Sequence, residues 1–71
     1  MFSIEELVED IQNGYGWVEE NLLWQYLDTL HLDPEKGMAY FEKEYPRIQV
    51  EGMWIYVLNT ELTVREIVDS L

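Results

Sequence analysis

The chain has 71 residues, 48% hydrophobic and 14% aromatic, with a formal charge of −11 from 15 acids against four Lys and Arg. That length supports a single domain over residues 1–71, since a second core would have too little apolar surface to bury. Without cysteine there are no disulfides, and with His31 as the lone softer ligand a zinc site is disfavoured.

A charge this negative repels phosphate backbones and anionic lipid and attracts basic protein surfaces. Solubility and adaptation to high salt are the blander accounts of it. Glu supplies 11 of the 15 acids, and Ile is well represented, which counts against the salt account. The opening MFSIEELVED has acids where a secretory signal carries basic residues and an apolar run. No apolar run is long enough to span a bilayer. The expectation is a soluble cytoplasmic protein with no membrane association, and the missing cysteine fits a reducing compartment.

Ser3 is placed to cap a first helix, with Glu6 closing a capping box and Phe2 stapling against Leu7. Ile4, Leu7, Val8 and Ile11 then form one apolar stripe. Asn13-Gly14 stops the helix, both residues tolerating a left-handed cap. Tyr15 to Val18, broken by Gly16, reads equally as a short extended segment or a loop. A second helix follows, with Val18, Leu22, Tyr26 and Leu30 spaced four apart and Leu23 and Leu27 beside them, a broad face expected to be buried. Trp17 and Trp24 are also expected in the core. Asp33-Pro34 caps and starts a third helix over 34–45, with Met38, Phe41 and Tyr45 inward and Pro46 as its stop. Gly37 falls inside that helix, not in the turn before it.

Arg47 to Leu58 reads as a β-hairpin. With Glu51-Gly52 as a two-residue turn, Val50 faces Met53, Gln49 faces Trp54, Ile48 faces Ile55 and Arg47 faces Tyr56. One face is then apolar (Ile48, Val50, Met53, Ile55, Val57), and the other, expected outward, carries Arg47, Gln49, Trp54 and Tyr56. A one-residue slip would mix the two, which favours this register. Leu62-Thr63 with Glu66 repeats the pattern of Phe2-Ser3 with Glu6 and starts a short last helix. Barely two turns long, it needs tertiary contacts or pairing between two copies to hold.

The order helix, short extended piece, helix, helix, hairpin, helix resembles the winged helix-turn-helix superfamily across the whole chain, through element order and not through a signature motif. The resemblance implies an α+β, winged-helix-like fold of three helices, one two-stranded β-hairpin and a short C-terminal helix. It also implies a recognition role for helix 34–45 and a wing at Arg47–Leu58, in families whose members bind DNA or only protein. A second likeness, of Leu58-Asn59 and Thr63–Leu71 to pieces of the peptide-binding PQQ-biosynthesis chaperones, lacks the helix that separates those pieces there and is not adopted.

For DNA, Lys36, Tyr40 and Lys43 share one face of the third helix, with Arg47 beyond its end. Residues 33–47 hold four acids and three bases, a net of −1 against −10 elsewhere. A solvated face neutralised by Glu42 and Glu44 is the favoured account, so nucleic acid is disfavoured as a partner. For protein binding, Trp54 and Tyr56 with Gln49 and Glu51 give an aromatic patch in an acidic setting, which would steer a basic partner. The two rings stand level between that role and one as core folded back over the helices. Asp28 and His31, three apart, lack a third ligand or a nucleophile, and no phosphate loop, triad or calcium loop is present. The expectation is a small noncatalytic adaptor or inhibitor that binds a basic protein, without metal or cofactor. The alternative is a dimeric winged-helix DNA-binding regulator.

Overall fold

The computed structural model describes residues 2–71. Ser3 opens α1 (Ile4–Asn13) by accepting the Glu6 N–H at 3.3 Å. The expected capping box is one-sided, because the Glu6 carboxylate takes the Ser3 hydroxyl and not its backbone N–H. The helix ends as Gly14 N–H reaches back to the Asp10 and Ile11 carbonyls. Gly14 itself keeps φ at −88°, so the left-handed turn expected at Asn13-Gly14 falls instead on Gly16, at φ 79°.

That turn settles the Tyr15–Val18 segment. The Gly16 carbonyl accepts the N–H groups of Leu58 and Asn59, both at 2.9 Å. This lays β1 (Trp17–Glu19) antiparallel to β3 (Met53–Val57), with Trp17 opposite Val57. β3 also pairs with β2 (Arg47–Val50), so the sheet has three strands in the order β1-β3-β2. The expected two-stranded hairpin is therefore a subset of the observed sheet. Its register is as expected, from Arg47 opposite Tyr56 to Val50 opposite Met53. Glu51 at φ 50° and Gly52 at φ 82° form the two-residue turn, of the type whose twist matches the strands. Glu51 is poorly suited to a left-handed backbone. Glu51→Asn is expected to stabilise the domain by roughly 0.5–1 kcal/mol, read as a higher urea midpoint at an unchanged m-value.

α2 (Glu20–Thr29) starts directly from β1, its first amides (Asn21 and Leu22) capped by the Glu19 carboxylate at 2.8 and 3.2 Å. It buries Leu23 and Leu27 completely. His31, at φ 59°, reverses the chain, and Asp33 caps α3 (Pro34–Glu44) by accepting from Glu35 and Lys36. Gly37 explains itself here: a Cβ on it would stand 2.6 Å from both methyls of Leu27. The glycine lets α2 and α3 cross closely.

Both faces of the sheet are covered. Val18, Tyr56 and Leu58 pack with Leu7, Ile11, Leu23, Leu27 and Phe41 from the first three helices. On the opposite face Val50, Ile55 and Val57 meet Ile67 of α4 (Val64–Asp69), with Trp17 and Leu62 alongside. α4 has the full capping box between Thr63 and Glu66, and Trp17 Nε1 donates to Ser70 Oγ at 3.1 Å just beyond it. Tertiary contact thus holds this short helix. Two of the burial expectations are corrected here. Tyr56 does not face outward but is 2% exposed, because the helical layer covers its side of β3. Trp24 is not core but 45% exposed.

Candidate protein-binding surface

Trp54 is held out on the hairpin beside its turn, 38% exposed. Arg47, displaced by two residues on the same face, lays its guanidinium 4.5 Å from the Trp54 ring centroid. The same guanidinium binds the Glu20 carboxylate of α2, Nη1 to Oε2 at 3.1 Å. Each contact is worth about 1 kcal/mol or less at a solvated site. Together they fix one face of the indole and tie the hairpin to α2. Gln49, directly opposite Trp54, and Glu51, at the turn, are both exposed.

Of the four residues expected to bind protein, Trp54, Gln49 and Glu51 thus share an exposed hairpin surface. Tyr56 lies behind it, its ring edge-on to Phe41 at 6.0 Å. Burial pushes the Tyr56 phenol above its ordinary range; Arg47 acts against this, and Glu20 and Glu42 reinforce it.

The residues expected to meet DNA are less well gathered. Lys36 and Lys43 are exposed on α3, but Glu35, Glu42 and Glu44 are exposed on the same helix. Tyr40 is half-buried, edge-on to both Phe41 and Tyr45. Burial, Tyr40 and Glu44, in that order of size, raise the Tyr45 phenol. Arg47 is engaged by Glu20 and Trp54, and the Glu20 carboxylate competes with a phosphate for its guanidinium. Asp28 and His31 do not share a helix face, since α2 ends at Thr29 and His31 lies in the reversal beyond it. No cluster of three metal-ligating side chains occurs among the described residues, and no helix there is long and apolar enough to cross a membrane.

A second feature went unanticipated. A groove of about 430 Å³ runs between α1, β1 and α2, with Tyr15, Leu22 and Tyr26 among its walls. Those three side chains are 69%, 41% and 42% exposed, and the Tyr15 ring rests 5.6 Å from that of Trp17. Leu22 and Tyr26 were expected inside. The apolar positions of α2, from Leu22 through Leu23 and Leu27 to Trp24, cover an arc of about 200° at 100° per residue, against the roughly 100° stripe of a surface helix. In so small a domain such an excess has nothing to cover it, and this was the available signal.

No known protein family matches the chain, and neither a curated protein nor a solved structure does.

Proposed function

We propose that the chain is a noncatalytic adaptor or inhibitor of winged-helix-like build that binds a basic protein in the cytoplasm. The observation that carries this reading is the Trp54 surface: an indole held half out of its own fold, on a chain with 15 acids and four Lys and Arg. Half-exposed aromatics held rigid by neighbours make good interface anchors, because little torsional freedom remains to be lost on binding. The surrounding acids accelerate encounter with a cationic surface. The winged-helix part draws support from the order α1-β1-α2-α3-β2-β3 and from the strand order β1-β3-β2, with α2 and α3 as the helix pair and the hairpin as the wing. α4, on the far face of the sheet, is an addition to that plan.

Against DNA recognition stands the charge of α3, where Lys36 and Lys43 are outnumbered by Glu35, Glu42 and Glu44. Trp54→Ser tests the proposal. The variant is expected to keep the far-ultraviolet circular dichroism of the parent while a basic protein that co-purifies with the parent from its native host is lost. Tight binding to random duplex DNA that falls steeply with salt would replace this reading with DNA recognition.

A further inference from the structure

We infer that the groove between α1, β1 and α2 is a second docking surface, and that its occupant is a cationic amphipathic helix of a partner protein. The inference goes beyond the Trp54 surface and does not depend on it. Glu20, which holds Arg47, and the Leu22–Tyr26 pair project from opposite flanks of the buried Leu23–Leu27 line of α2.

Shape selects the kind of occupant. Tyr15, Leu22 and Tyr26 stand with 41% or more of their surface in solvent. A small-molecule site encloses its ligand far more fully. Two helices of 10 residues each, about 15 Å long, instead flank a trough in which apolar side chains from successive turns of a third helix fit.

Charge selects its chemistry. The groove is built wholly from the first 30 residues of the chain, and no Lys or Arg precedes Lys36. Residues 1–35 hold nine acids: Glu5, Glu6, Glu9, Asp10, Glu19, Glu20, Asp28, Asp33 and Glu35. Asp10 and Glu19 lie on the groove itself. Glu19 is fixed there by the two amides it caps, so its charge does not swing away. An apolar trough edged by two carboxylates, one of them held in place, suits a helix with a Leu-like face flanked by Lys and Arg. A second copy of this chain would bring a further −11 to the same place and is repelled.

The test is a titration of the full chain, followed by amide shifts in NMR. The probe is a Leu/Lys peptide with Leu at i, i+3, i+4 and i+7. Two controls accompany it: a Leu/Glu peptide of the same pattern and a Leu/Lys scramble with no apolar face. The patterned cationic peptide is expected to bind at least about tenfold more tightly than either control. Its shifts should fall on the end of α1, on β1 and on α2. Leu22→Ser and Tyr26→Ser, both at exposed and uncharged positions, should each weaken it about tenfold or more, while Trp54→Ser should leave it unchanged. Tyr15→Ser, in the loop before β1, provides a third variant that leaves the helices untouched. Equal affinity for the scramble would reduce the effect to bulk charge and overturn the inference. So would shifts confined to the hairpin, absence of binding, or a dimer that Leu22→Ser dissociates.

Discussion

Tyr56→Ser is expected to lower the melting temperature of the protein sharply, whereas Trp54→Ser, two residues away on the same strand face, leaves it close to the parent. Tyr56 is 2% exposed and packs edge-on against Phe41, which is itself fully buried. Removing so large a buried ring costs about 3–5 kcal/mol through lost transfer energy and the cavity left behind. A 71-residue domain has roughly 4–10 kcal/mol in all, so a large part of its stability would go. Thermal unfolding followed by circular dichroism reads the difference; a Tyr56→Ser protein that melts like the parent would place the ring outside the core.

Tyr56→Phe separates the ring from its hydroxyl. The folded state raises the phenol pKa, chiefly by burial, so it holds the proton to higher pH than the unfolded chain does. The Tyr56 contribution is therefore intact below the ordinary phenol value of about 10 and is lost as pH rises through the folded value. Tyr56→Phe should match the parent at neutral pH more closely than Tyr56→Ser and lose less stability above pH ~10. Tyr45, raised in the same direction, keeps some alkaline sensitivity in both proteins.

Gly16→Ala is the second large effect. At φ 79°, an alanine there adopts a backbone that L-residues avoid, at about 1–2 kcal/mol. Its Cβ would also stand 2.8 Å from Asn59 Cβ and 3.0 Å from a Leu62 methyl. Relief by moving the backbone is blocked, because the Gly16 carbonyl holds two amides and its N–H holds the Ile11 carbonyl. Crowding adds about 1–3 kcal/mol, for a total of about 2–5 kcal/mol. The expected signature is a lower urea midpoint together with faster hydrogen exchange at Leu58 and Asn59. Unchanged protection at those two amides would show that the β1–β3 junction does not depend on Gly16.

Local chemistry made much of this fold readable. Ser3, Asp33 and Thr63 cap helices because short oxygen-bearing side chains satisfy first-turn amides, and all three do so here. The hairpin register followed from keeping Ile48, Val50, Met53 and Ile55 on one face. What alternation could not supply was the covering of each face. It grouped Trp54 with Tyr56 correctly, yet one ring lies under the helices and the other lies near the turn, half in solvent. β1 was ambiguous for a related reason, since three residues become a strand only when a partner strand is in place. The Trp54 surface was therefore partly legible, while the groove, which requires α1, β1 and α2 to be assembled, was not.

The outer strands of the sheet have a further consequence. β1 offers three residues and β2 four, and β2 begins with a charged side chain directly after a proline. Rims so brief and so interrupted are poor templates for stacking one molecule's sheet onto the next. A chain rich in apolar side chains can thereby remain dispersed at high concentration and avoid fibril growth without closing its sheet into a barrel.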